Sequence, residues 1–296
     1  MRSAKAFAPG NISCVFVIKK TKNPATSGSL GMGFTVNKGV FATIKKISNN
    51  KQSPIIKKTI KKNNKKNQKN IIYFNNKKIN FPTVNSVIEK LTDKKVIVNI
   101  KSTLPLGYGF GISGAAALAT AYSLNKLLNL GKSKKQLAMI AHIAEVENST
   151  GLGDVINQHY GGFLVKYESS YKLKAARLPI KNKAVYCGYF SPIETKKIIS
   201  NEKIKNRINN AGIKALNKIK ALDNKNANLK NIIKISKEFA LKSGLLKNKK
   251  VINIIKNIEN NNGNASMIML GNAVFSDTYF NGSKELIIKD KGAYLL

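Results

Sequence analysis

Residues 104–116, Leu-Pro-Leu-Gly-Tyr-Gly-Phe-Gly-Ile-Ser-Gly-Ala-Ala, carry the strongest chemical signal in the chain. Glycines at 107, 109, 111 and 114 let backbone N–H groups approach an anion, and a helix starting near Ser113 adds partial positive charge at the same point. The segment suits a phosphate. No Gly-Lys-Ser/Thr follows, so it is not a Walker loop, and Gly107-x-Gly109-x-Gly111 does not match the dinucleotide fingerprint. Pro105, Gly107, Gly109, Phe110, Gly111, Ile112, Ser113, Gly114 and Ala115 are the candidate phosphate-binding residues. Taken alone, the segment also reads as a glycine-rich turn packing a helix on a sheet.

Two carboxylates sharpen the reading. The stretch from Leu137 to Val146 is apolar on nearly every side, yet it carries His142 and Glu145 at i, i+3 spacing. A carboxylate buried there needs a cation, a metal or a donor network. Nine residues on, the turn Thr150-Gly151-Leu152-Gly153 presents Asp154. Beside a phosphate cradle, one carboxylate can hold Mg²⁺ and the other can orient or deprotonate an attacking hydroxyl, which is the equipment of phosphoryl transfer.

The elements that must hold these groups are readable in outline. Residues 5–18 suggest a strand, a Pro9-Gly10 turn and a second strand. Further short β segments at 34–36, 71–74 and 96–100, with no long helix between them before about Asn85, suggest an antiparallel or mixed sheet. A helix runs from about Ser113 to Leu130, stopped by Gly131. A second starts at the capping box Ser133-x-x-Gln136 and ends near Glu147. Phe163-Leu164-Val165 is a strand after Gly161-Gly162. Beyond a boundary near 171–179 come a strand at 184–190, helices from Thr195 to about Asn260, and a strand, turn and strand over 265–275. We expect two domains, 1–175 and 176–296, with a Lys/Asn-rich insert at about 45–80.

Composition first points elsewhere. Lys+Arg number 52 against 14 Asp+Glu, a net charge of +38, which by itself suggests nucleic acid or an anionic surface as partner. Yet only Arg2, Arg177 and Arg207 are arginine, and base readout and bidentate phosphate clamping favour arginine. The excess is also regional: 12 Lys and no acid over 45–80, but 4 Lys against 3 acids over 102–165. Lysine tracts rich in Asn and Ile read as solvated surface. The 43% hydrophobic and 22% charged residues are ordinary for a folded globular protein and exclude a disordered chain. Cys14 and Cys187 give no disulfide framework, and with His142 and His159 they lack metal-ligand spacing, so we expect a reducing compartment, the cytoplasm, and no zinc. His159 reads as a structural histidine. No window is apolar for the length of a membrane-spanning helix.

The motifs together resemble the GHMP kinase superfamily, and within it the archaeal pantoate kinases. The matching blocks are Ala8-Pro9-Gly10-Asn11-Ile12, residues 28–33 (Gly-Ser-Leu-Gly-Met-Gly), 109–115, 141–154 (Ala-His-Ile-Ala-Glu-Val-Glu-Asn-Ser-Thr-Gly-Leu-Gly-Asp) and 265–272. The resemblance implies a two-domain α+β fold with an N-terminal mixed-sheet βαβ domain and a C-terminal α/β sandwich domain, the site between them and a homodimer. It implies ATP and Mg²⁺ as cofactors, pantoate as substrate, phosphorylated on its primary hydroxyl to 4-phosphopantoate for coenzyme A synthesis, and no membrane or specific nucleic-acid partner. Residue by residue, Ser113 and Glu145 would serve the nucleotide phosphates and Mg²⁺, Asp154 would be the base or orienting group, and Ser29, His142 and Lys166 would contact substrate. Lys166 stands where the family tends to have arginine, Asn11 where relatives often have histidine, and Gly114 where the superfamily has alanine or serine. Another acceptor, homoserine, shikimate or a mevalonate derivative, is the nearest alternative. A basic nucleic-acid-binding protein on an inherited fold is the alternative of a different class.

Overall fold

The computed structural model describes residues 3–47, 69–199, 201–223 and 226–296; the Lys/Asn tract from 48 to 68 lies outside them. Where the sequence suggests two strands and a turn, β1 (Ser3–Lys19) is one strand. Pro9 and Gly10 sit in a register shift against β2 (Gly28–Lys46), between the pairs Pro9↔Gly39 and Asn11↔Thr35. Proline cannot donate to a ladder, and a bulge is where a strand tolerates it. Gly10 answers to packing: a Cβ there would lie 2.7 Å from Leu104 Cδ1.

The long β2 changes partner along its length. Residues 40–46 pair with β5 (Val96–Ser102) and residues 31–34 with β6 (Phe163–Lys166), both antiparallel. Parallel to β5 runs β3 (Ile71–Phe74), followed by β4 (Lys77–Lys78). With β7 (Ala176–Arg177) beside β6 and β12 (Tyr294–Leu295) beside β1, they make a mixed eight-stranded sheet. Against it pack α2 (Ile112–Leu128) and α4 (Asp154–Tyr160), and α1 (Pro82–Leu91) and α3 (Lys134–Glu147) pack on α2.

Each helix has a local cause. Pro82 occupies the first turn of α1, where its missing N–H costs nothing. The alanine-rich α2 is buried from Ile112 to Leu124 except at Ser113, which faces the cavity described below; Asn129, in the left-handed region, ends it just before the Gly131 expected to do so. The capping box of α3 is formed in both directions, Gln136 N to Ser133 Oγ at 3.3 Å and Ser133 N to Gln136 Oε1 at 2.8 Å. Helix α4, seven residues between two glycine turns, carries no periodicity long enough to be read in advance.

The second sheet is antiparallel, in the order β11 (Lys284–Ile287), β8 (Ala184–Pro192), β10 (Gly271–Ser276), β9 (Ala265–Met267). Between β8 and β9 run α5 (Thr195–Ile199), α6 (Glu202–Lys220), α7 (Leu229–Ser243) and α8 (Lys249–Asn260). Two of these helices reach back to β1: Gly212 of α6 lies against the Phe16 carbonyl, and Ser236 of α7 donates its hydroxyl to Cys14 O at 3.0 Å. The fold is α+β with a mixed sheet, as expected from the sequence. Cys14 and Cys187 are both free and buried, and burial pushes both thiols up, so neither is a reactive thiolate. Among the described residues no helix is long and apolar enough to cross a membrane.

Candidate active site

The glycine segment and both carboxylates meet at one cavity of about 430 Å³. Leu106, Gly107, Gly109, Gly111, Ile112 and Ser113 form one wall, and residues 148–154 with Glu145 form another. Three glycines of the loop need positive φ, 89° at Gly107, 87° at Gly109 and 62° at Gly111, which L side chains avoid. Gly111 precedes α2, so the first N–H groups of that helix, which have no partner within it, open towards the loop. Phe110 turns away into the core against Tyr189, and Ala115 is buried; Gly114 backs on Glu145.

Glu145 is enclosed by glycine. A Cβ on Gly114 would lie 2.8 Å from its Oε2, and one on Gly151 2.7 Å from the same atom. Oε2 is buried with no hydrogen-bond partner among the described residues, while Thr150 Oγ1 makes only a long 3.5 Å contact with Oε1. Burial pushes this carboxyl well above its ordinary value and neighbouring Asp154 adds to the shift, against the hydroxyls of Thr150 and Ser113. A hard, under-coordinated oxygen beside a phosphate cradle fits a divalent cation. Mg²⁺ is an ion held by one or two protein oxygens together with substrate phosphates. Gly114→Ala is expected to displace the Glu145 carboxylate and lower kcat by about 10- to 100-fold, since misplacement by an ångström costs about that much. Steady-state kinetics with a melting curve checks it; wild-type kcat would show the fit is not needed.

Asp154 opens α4 at the other side of the cavity. Its Oδ1 accepts from Asn11 Nδ2 at 2.6 Å and from Ser13 Oγ at 3.0 Å, both on β1 just past the Pro9 bulge. Burial raises its pKa, while Lys166, Ser13 and Asn11 oppose the rise. The carboxylates therefore differ in kind: Glu145 is starved of donors and Asp154 is supplied with them.

Of the residues expected to contact substrate, none lines this cavity. Ser29 and Lys166 lie directly behind Gly153, where a Cβ would strike Ser29 Oγ. Lys166 Nζ donates to Gly153 O at 3.1 Å and to Asn157 Oδ1 at 3.0 Å; burial first, against Asp154, lowers its pKa to about 8. His142 is fully buried, its Nε2 3.0 Å from Ser27 O; burial and the Lys166 charge lower its pKa, against that hydrogen bond. His159, half-buried, pairs with the Tyr122 hydroxyl at 3.1 Å, away from the cavity. Sequence reasoning named Asn11 and the 265–272 block without placing them at this site, and missed Ser13, Thr83, Asn157 and the far wall at Ile193–Lys196, to which Met269 and Leu270 add. The 265–272 block contributes by packing, because Gly271 lies flat on the Tyr108 carbonyl and a Cβ on Gly109 would meet Ile268 Cγ2 at 2.8 Å.

Known proteins resemble this chain in sequence and in fold. Residues 79–162 match the model of the GHMP kinases N terminal domain. The chain is 36% identical over 276 residues to a pantoate kinase of Methanocaldococcus jannaschii, covering 91% of this chain and 90% of that one. Among solved structures, a phosphotransferase related to the CoA biosynthesis pathway superposes with a TM-score of 0.80 at 24% identity, over 99% of this chain and 98% of the other. MDDEF in complex with MVAPP, AMPPCP and magnesium shares the fold at a TM-score of 0.69 and 12% identity, over 100% of this chain and 99% of that one. With a relative this similar along nearly its whole length, and with the loop, the two carboxylates and the glycines between them in place, the chain belongs to the GHMP kinases and, within them, to the pantoate kinases.

Proposed function

We propose that the protein transfers the γ-phosphoryl group of ATP to the primary hydroxyl of pantoate, giving 4-phosphopantoate and ADP, in the synthesis of coenzyme A. The observation that carries the mechanism is the meeting in one cavity of a donor-poor carboxylate, a donor-rich carboxylate and the open N-terminus of α2. Backbone N–H groups of the loop and of residues 112–114, with Ser113 Oγ, hold the triphosphate. Glu145, with Ser113, holds Mg²⁺, which when bound neutralises charge on the phosphates. Asp154 orients the acceptor hydroxyl and takes its proton as the oxygen bonds to phosphorus and the bond to the ADP oxygen breaks. Ser29 and Lys166 lie behind Gly153 at the acceptor end, and His142 is anchored on the Ser27 carbonyl behind them.

Purified protein supplied with ATP, Mg²⁺ and, in turn, pantoate, homoserine, shikimate and mevalonate tests the assignment. Preferential turnover of pantoate is expected; preference for another acceptor overturns the substrate. The same assay gives the pH dependence. Asp154 works ionised and its pKa is raised, so kcat is expected to fall on acidification at a pH above the ordinary aspartate value of about 3.9. An acid limb at or below that value would remove Asp154 as the base.

A further inference from the structure

Behind Asp154 lies a run of buried polar side chains that the reaction as described does not use. Lys166 Nζ donates to Asn157 Oδ1 at 3.0 Å, Asn157 Nδ2 to Asn11 Oδ1 at 2.9 Å, and Asn11 Nδ2 to Asp154 Oδ1 at 2.6 Å. Asn11 and Asn157 are wholly buried and Lys166 is 4% exposed, so water does not substitute for any link. An ammonium has three donors and no acceptor, whereas an ionised carboxylate only accepts. The two ends therefore impose one direction on both amides. Lysine at the head requires the Asn157 oxygen, which turns its NH₂ on Asn11, which turns the Asn11 NH₂ on Asp154. Ser13 fits the same order, receiving from Asn11 Nδ2 at 3.2 Å and donating to Asp154 Oδ1 at 3.0 Å.

We propose that Lys166, Asn157 and Asn11 are positioning residues, a one-way chain of donors that fixes Asp154 Oδ1 as an acceptor and leaves Oδ2 to receive the substrate proton. The lysine thus acts through two amides and holds no substrate. This gives Lys166 a different part from the substrate contact that the family resemblance implies. Its second bond, to Gly153 O, anchors the residue preceding Asp154, so one ammonium sets both the backbone and the side chain of the base. The charged and titratable groups facing the cluster are Glu145, which faces Asp154 from α3, and His142, which faces Lys166 from the same helix. Buried networks of this kind are costly when one member is reversed, because a donor then meets a donor or an acceptor an acceptor.

The inference rests on Asp154 as the base, and its test separates the two. Asn157→Asp keeps the size of the side chain and a partner for Lys166 but cannot donate to Asn11. We expect kcat to fall by about 10- to 100-fold through misplacement of the base, with KM for pantoate and for ATP within about 3-fold of wild type. Lys166→Met is expected to show the same split. A rise in pantoate KM of about 30-fold or more with kcat retained in Lys166→Met would make the lysine a substrate ligand and overturn the proposal. Wild-type kinetics in Asn157→Asp would overturn it too. If wild-type protein prefers another acceptor, the pantoate assignment fails and the same split is read on that acceptor. Should the variants not fold, NMR of the wild-type protein decides: scalar coupling across the hydrogen bond is expected from Asn157 Nδ2 to Asn11 Cγ, and coupling in the reverse sense would refute the direction.

Discussion

Asp154→Asn is expected to lower kcat by about 10³-fold, within the range general-base catalysis supplies, while leaving nucleotide affinity and the fold intact. The substitution preserves shape. An asparagine oxygen at the Oδ1 position can still accept from Asn11 and Ser13, so the hydrogen bonds on that side of the residue survive. What disappears is a site for the hydroxyl proton. Loss with every acceptor, together with unchanged ADP binding by calorimetry and a melting temperature close to wild type, is the outcome that identifies a chemical role. A rate within a few-fold of wild type would show that the hydroxyl loses its proton without this carboxylate.

Glu145→Gln should separate stability from activity in opposite directions. Its Oε2 is buried with no partner among the described residues, between Gly114 and Gly151, and its pKa is raised well above the ordinary value. Between the unfolded and folded pKa values the native state holds a proton that the unfolded chain has released. The unfolded state therefore binds fewer protons there, and stability declines as pH rises through that window. The metal-free protein is thus expected to melt higher in mild acid than at neutral pH, and the glutamine variant to melt higher than wild type at neutral pH with a flattened pH dependence. Activity goes the other way: kcat is expected to fall by about 10²- to 10³-fold, as for other losses of a group that stabilises developing charge, and the Mg²⁺ requirement to rise. Magnesium with nucleotide should stabilise wild type through binding to the native state alone, and stabilise the variant much less. A variant that melts lower than wild type without metal and responds equally to magnesium would show that the carboxylate is structural.

The parts of this site that were legible in the sequence are those whose cause is local. Three glycines before an alanine helix, a capping box at Ser133 and Gln136, and one glutamate on a helix otherwise apolar each report their own conformation within a few residues. The Pro9-Gly10 pair shows where local reading stops. It carries a turn signature, but β2 runs alongside and absorbs it as a bulge, a fact set by residues 28–46. The role of Asn11, which the family resemblance only marked as a departure, and of Ser13 was hidden for the same reason, since it comes from Asp154, over 140 positions away in both cases. Lys166 was visible as a cation near the site, but its buried amide partners were not. The +38 charge was conspicuous and uninformative: Lys166 is a buried lysine at the site, while the Lys/Asn tract at 45–80 is far from it in sequence.

The course of β1 has a bearing on how the protein is made. This strand takes its neighbours from residues 28–46, from α2 and α4, from helices in the 202–243 region and from 294–295, and Leu296 N donates to Lys5 O at 2.9 Å. A ribosome producing about 5 to 20 residues per second delivers Asn11 first and the last neighbours of the same strand some 15 to 60 seconds later. Strand β1 is therefore made well before its last neighbours, and its apolar run from Ile12 to Ile18 is sheltered meanwhile by β2 and then by α2 and α4. Contacts this distant in sequence also slow folding in free solution. Catalytic competence should consequently appear late, once the neighbours from the second half of the sequence have packed on β1.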